Sequence, residues 1–136
     1  SFLRAGLVVD MRIFVSYTTR DHYIDRELLK SASEVLSDFG PSYIDLLHND
    51  SVDKQLHVEL MLSQAQLLVL ISSNSINESE WVQWELREAK RSGIPIISVH
   101  APSDKKETVS NLKCKLASEF RKLAMRSGKD ALTRVA

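Results

Sequence analysis

Four short apolar runs, separated by stretches with helical spacing, organise this chain. Ile13-Phe14-Val15 is bounded by Arg12 and by Ser16-Tyr17-Thr18-Thr19, and reads as a fully buried first strand. Thr18, Thr19 or Asp21 then caps a helix whose apolar positions Ile24, Leu28, Leu29, Ala32, Val35, Leu36 and Phe39 recur at intervals of three and four. Gly40-Pro41 stops that helix. Tyr43-Ile44-Asp45-Leu46-Leu47 reads as a second, weaker strand, followed by the polar loop His48-Asn49-Asp50-Ser51. Asp53 caps a helix to about Ala65 with Leu56, Leu60, Met61 and Ala65 on one face. Leu67 to Ile71 is the strongest strand signal in the chain. A helix from Ser79 to Arg91 ends at Gly93, and Pro95 to Val99 forms a fourth strand. After a polar loop from Ala101 to Thr108, Ser110 starts a last helix with Leu112, Leu116, Phe120 and Leu123 facing inward, ended by Gly128.

Continuous apolar strands alternating with amphipathic helices imply a parallel sheet covered on both faces. Right-handed crossovers then predict an α/β protein: a flavodoxin-like, doubly wound parallel sheet of four to five strands with helices on both faces. No internal repeat, low-complexity segment or linker divides the chain, so 11–136 reads as a single domain, and 1–10, ahead of Met11, as a leader or disordered segment.

Composition narrows the picture slightly. At 136 residues, 43% apolar and 26% charged, the chain suits one ordinary globular domain. No apolar run approaches the roughly 20 residues of a membrane span, and the first residues lack a signal-peptide pattern, so no membrane insertion is expected. One cysteine, Cys114, leaves no internal disulfide and no multi-cysteine metal site, with the cytoplasm as the default compartment. Net charge is zero but uneven: from Ser103 onward 9 Lys/Arg face 4 Asp/Glu, giving +5 there and −5 before it. Among those basic residues the only aromatic is Phe120, which reads as a solvated helix face rather than a nucleic-acid site.

Several chemistries fail on the residues. A magnesium-binding phosphoacceptor site needs acidic residues where the first and third strands end, but these strands end in Ser16-Tyr17 and Ser72-Ser73. The four glycines form no dinucleotide or phosphate loop. His22, His48, His57 and His100 show no metal-ligand spacing, so no metal is expected, and no G-x-S-x-G elbow is present. What remains is Glu85, within the first two turns of a helix that also carries Trp81 and Trp84, at the carboxyl end of a strand where open α/β sheets bind ligands. Cleavage of a ribose–nicotinamide bond passes through an oxocarbenium-like state with a good leaving group. An anion near the ribose and flat apolar walls suffice for it. The residues leave a second reading of Glu85 open, a solvated helix position with Arg87, Lys90 and Arg91 as charge partners.

Over about Met11 to Val99 the chain resembles the Toll/interleukin-receptor (TIR) domain family, in its bacterial TIR-like branch. Ile13-Phe14-Val15-Ser16-Tyr17 followed by Asp21 is similar to the family's first box, and Leu68 to Ser72 with Asn74-Ser75 and Ser79-Glu80-Trp81 to its third strand and the turn after it. Trp81 and Glu85 match the Trp-x-x-x-Glu spacing of TIR domains that hydrolyse NAD+. The resemblance implies a catalytic Glu85, with NAD+ as substrate rather than cofactor. It also implies products of nicotinamide and linear or cyclic ADP-ribose, in bacterial defence or signalling. Ser16 and Tyr17 are candidates to position the ribose, Arg20 to neutralise the pyrophosphate, and Trp81 and Trp84 to line the pocket, one of them packing into the core. Asp21 reads as a helix cap. The second loop, His48 to Asp53, lacks the family's Arg-Asp and Pro-Gly pairs. The alternative implied by the same resemblance is a non-catalytic module that self-associates or binds other TIR domains. A weaker one is a deoxyribosyltransferase-like enzyme, which uses a glutamate on a related fold.

Overall fold

The computed structural model describes residues 11–135, with side chains described to Lys122 and at Met125. Ile13–Ser16 (β1), Ser42–Tyr43 (β2), Leu67–Ser72 (β3) and Ile96–His100 (β4) form one sheet in the order β2-β1-β3-β4. Every pairing is parallel, with Ile13 opposite both Ser42 and Leu67, and Leu68 opposite Ile96. The helices are Arg26–Leu36 (α1), Asp45–His48 (α2), Lys54–Gln64 (α3), Glu80–Arg91 (α4) and Lys105–Val135 (α5). One sheet face carries Ile13, Val15, Val69, Ile97 and Val99 against α1 and α5; the other carries Phe14, Leu68 and Tyr43 against α3 and α4. This is the doubly wound α/β, flavodoxin-like arrangement, with four strands among the described residues. Alternation along each strand explains the division, since successive side chains point to opposite faces.

Several expected boundaries move, each for a local reason. The second strand is two residues long rather than five, because Asp45–His48 turns into a helix instead. Side chains divert the backbone there: His48 Nδ1 accepts from the Ile44 N–H at 2.9 Å, and Asp45 Oδ1 accepts from Tyr43 Oη and Asn49 Nδ2, each at 2.8 Å. Helix α1 starts later than expected and is capped by Asp25, which accepts from Leu28 N at 3.0 Å, rather than by Thr18, Thr19 or Asp21. Asp53 does cap α3, accepting from Leu56 N at 3.0 Å. The buried phase of α3, however, is Val58 and Leu62, with Leu56 and Leu60 exposed. Helix α5 starts at Lys105 rather than Ser110, where Lys105 pairs with the Asp25 cap, and it runs through Gly128 instead of ending there. Leu112, Leu116 and Phe120 face inward as expected; the expectation for Leu123 lies outside the described side chains, as does residues 1–10 outside the described chain.

Gly40 sits where the chain turns from α1 into β2. A Cβ there would run into the Met11 carbonyl beside β1. Backbone cannot move aside without disturbing the Ile13 N–H bond to Pro41 O, 2.8 Å. Gly40→Ala should therefore lower stability by roughly 2–3 kcal/mol, measurable by urea denaturation.

Candidate functional site

The carboxyl ends of the parallel strands converge on one cluster. Ser16 ends β1, Tyr43 ends β2, and the short helix α2 follows immediately. Across from them α4 enters the cluster from the turn after β3, with Ser79 capping it through a bond from Val82 N at 3.2 Å. Val82, Glu85 and Ala89 are the buried face of α4, at the three-to-four spacing that aims them at the sheet. Glu85 is thus only 5% exposed, and the solvated-helix reading of it is overturned. Its expected charge partner Arg91 pairs with Glu88 instead.

Burial pushes the Glu85 carboxyl up to about 8, with the Ser16 hydroxyl opposing the shift and the Asp45 charge adding to it. Ser16 Oγ is itself fully buried and beside this carboxyl, yet has no well-formed hydrogen bond to any described residue. Tyr17 closes the cluster from the β1 end. Its Oη accepts from the Leu46 N–H of α2 at 2.8 Å. Burial pushes its phenol up to about 12, against the Leu46 bond and with help from the Asp45 and Glu85 charges. Tyr43 is raised by burial and by donating to Asp45, with Glu85 again among the charges that reach it. Burial lowers His48, whose Nδ1 is already committed as an acceptor, so the ring is neutral with its proton on Nε2.

Two loops are stitched together beneath this cluster. Asp21, expected as a helix cap, instead accepts from Ser75 N and Ser75 Oγ, each at 2.9 Å, joining the loop after β1 to the turn after β3. Burial would raise its carboxyl, but the nearby Ser73 hydroxyl and the two bonds from Ser75 outweigh burial and hold it below the usual range. Tyr23 Oη adds a bond from Asn74 N at 3.3 Å.

The expected site residues therefore fall into two groups. Ser16, Tyr17 and Glu85 meet in the buried cluster. Arg20, Trp81 and Trp84 line an open cleft of about 570 Å³ with Gln55 and Arg87. Trp81 lies one helical turn from Glu85 and is 40% exposed; Trp84 is half-buried and packs toward α3. One tryptophan was expected to pack into the core; Trp84 does so only in part, and both line the cleft, stacked with ring centroids 5.0 Å apart and planes at 13°. The sequence reading missed Tyr43, Asp45 and His48, because a strand was expected through Tyr43 and Asp45 and a polar loop from His48. The signal for the turn was Asp45 followed four residues later by Asn49, a side-chain pair at helical spacing.

Among the described residues no group of three His, Cys, Asp or Glu could hold a metal ion, and no helix is long and apolar enough to cross a membrane. No curated protein matches the chain. A family model described as the TIR-like domain of Thoeris protein ThsB matches residues 14–106, more than half of the chain. That span includes both the buried cluster and the tryptophan cleft.

Proposed function

We propose that this chain, which belongs to the TIR-like domain family of Thoeris protein ThsB, cleaves NAD+ to nicotinamide and ADP-ribose, linear or cyclic, with Glu85 as the catalytic carboxylate. The observation that carries this reading is the buried Glu85 carboxyl, set beside an unpartnered Ser16 hydroxyl at the carboxyl end of the sheet. A structural role would not place a carboxyl there, since burial disfavours its charge and no cation compensates it.

The chemistry follows from that placement. The ribose–nicotinamide bond breaks with its electron pair leaving on the nicotinamide nitrogen, which becomes neutral and needs no general acid. Positive charge moves onto the ribose, where the Glu85 carboxylate stabilises it in a site of low dielectric. Water then adds at that carbon and loses a proton, giving ADP-ribose, or a nucleophilic atom of the same molecule adds instead, giving the cyclic form. Ser16 Oγ, beside the carboxyl and without a well-formed hydrogen bond among the described residues, can turn to a ribose hydroxyl, and Tyr17 walls the ring in. Arg20 and Arg87 in the neighbouring cleft suit the pyrophosphate, and the stacked tryptophans supply flat apolar surface. NAD+ is the substrate, and no further cofactor is required.

A pH profile follows from the same carboxyl. Only the ionised form stabilises the ribosyl cation, and in the free enzyme that form dominates above about pH 8. The expected kcat/KM for nicotinamide release rises about tenfold per pH unit below 8 and levels off above it. The bound pyridinium cation favours the carboxylate, so kcat should level off at a lower pH than kcat/KM. A pH-independent kcat/KM between 6 and 8 contradicts the assignment.

A second reading, association with another TIR domain without catalysis, is favoured by one observation. Val52, Leu56 and Leu60 are exposed together at the start of α3 and the loop before it. Leu60→Glu abolishing capture of a TIR partner, with nicotinamide release absent from the wild type, would select this reading.

A further inference from the structure

The buried cluster holds a second carboxylate that the cleavage step leaves unused. Asp45 opens α2, just beyond the carboxyl end of β2. The next residue, Leu46, donates its N–H to Tyr17 Oη at 2.8 Å, and Tyr17 follows Ser16, whose hydroxyl lies beside the Glu85 carboxyl. Both hydrogen bonds that fix Asp45 fall on one oxygen: Oδ1 accepts from Tyr43 Oη and from Asn49 Nδ2, each at 2.8 Å. Among the described residues nothing donates to Oδ2, and no lysine or arginine pairs with this carboxylate. One oxygen is anchored and the other keeps its lone pairs open. The two carboxyls also differ in exposure. Glu85 is 5% exposed and Asp45 is half-buried, so solvent reaches Asp45 more readily. The Asp45 charge acts on Glu85, Tyr17 and Tyr43, all members of the cluster.

We propose that Asp45 is the general base of the capture step: its Oδ2 takes the proton from the oxygen nucleophile that adds to the ribosyl cation. This rests on the reading of Glu85 as the carboxylate that stabilises that cation. When water is the nucleophile, its oxygen bonds to the ribosyl carbon as one O–H bond breaks. The electron pair of that bond stays on the oxygen, the proton passes to Asp45 and then to solvent, and the product is ADP-ribose. When a hydroxyl of the same molecule adds instead, the same transfer gives a cyclic product. Glu85 is unsuited to this second task, because it holds its charge against the cation until the new bond has formed. Tyr43 and Asn49 are positioning residues, since their bonds to Oδ1 fix the plane of the carboxylate. A nucleophile with no proton to lose, such as a pyridine nitrogen, has no need of Asp45.

The partition between oxygen capture and pyridine exchange tests this. The chain is given NAD+ together with 3-acetylpyridine, and ADP-ribose, its cyclic form and the exchanged dinucleotide are measured in the same sample. Asp45→Asn keeps an Oδ1 acceptor for Tyr43 and Asn49 but puts an amide nitrogen, which cannot take a proton, in place of Oδ2. It should lower the ratio of ADP-ribose products to exchanged dinucleotide about a hundredfold. In the wild type the same ratio should fall in heavy water, because only the oxygen path breaks an O–H bond; this measurement stands if the variant fails to fold. A ratio unchanged in Asp45→Asn, with both reactions lowered together or neither, overturns the proposal, as does a wild-type ratio indifferent to heavy water. Glu85→Gln separates the two readings, since it should end both reactions. Loss of both there with an unchanged ratio in Asp45→Asn overturns the base and leaves the catalytic carboxylate standing. Absence of every product from the folded wild type overturns the two together.

Discussion

Replacing Glu85 with glutamine is expected to stabilise the protein at pH 8 by on the order of 3 kcal/mol while ending NAD+ cleavage. The gain follows from linkage. The folded-state carboxyl is raised from 4.5 to about 8, so between those values the folded protein binds a proton that the unfolded chain has lost. Wild-type stability therefore falls as pH rises from about 4.5 to about 8 and is flat above. Glutamine does not titrate, and its amide can donate to the otherwise unpartnered Ser16 Oγ. The variant should match the wild type near pH 4 and exceed it increasingly toward pH 8, where the melting temperature rises by about 10 °C. Loss of transition-state charge stabilisation should lower nicotinamide release by at least about a thousandfold. A carboxyl placed only for packing would show neither effect.

The second large effect is expected at Asp21. Asp21→Ala leaves Ser75 N and Ser75 Oγ without their acceptor, and the carboxylate is buried, so the change should cost about 3 kcal/mol by urea denaturation. Its folded-state carboxyl lies below the ordinary 3.8, so this stabilisation is full above the unfolded value and is lost as pH falls through the folded one. The wild type should lose stability in acid below about pH 4 more steeply than Asp21→Ala does. Because Ser75 belongs to the turn that leads into α4, the same variant should also raise exchange of the first α4 amides. If the variant is as stable as the wild type, the turn is held by the core alone.

Much of this architecture was legible in the order of residues because it rests on period. Apolar runs at 13–15, 67–71 and 95–99 marked three strands within a residue or so, and the three-to-four spacing of α1 marked its inward face; α4 was bounded between Ser79 and Arg91, but its buried face, Val82, Glu85 and Ala89, was not foreseen. Parallel pairing followed from the helices between them. Where period was short or shared, the reading failed. Tyr43 to Leu47 is apolar enough for a strand, but the Asp45, Asn49 and His48 side chains bind the local backbone and turn it into α2. In α3 two apolar phases coexist, Val58 with Leu62 and Leu56 with Leu60, and only packing against Phe14 and Leu68 decides between them. Asp21 and Asp25 are equally good caps on paper. Asp21 is consumed instead by a turn 54 residues away, a partner that no local pattern reveals. At the site, the Trp81–Glu85 spacing located the carboxyl. Its burial, its raised proton affinity and its neighbours Tyr43 and Asp45 depend on tertiary placement.

The most direct measurement is nicotinamide release from NAD+, followed by chromatography at high protein concentration, for the wild type and for Glu85→Gln confirmed as folded. The account predicts steady release by the wild type and none above background by the variant. Equal release by both proteins, or none from a folded wild type at pH 8, contradicts the assignment of Glu85 as the catalytic carboxylate.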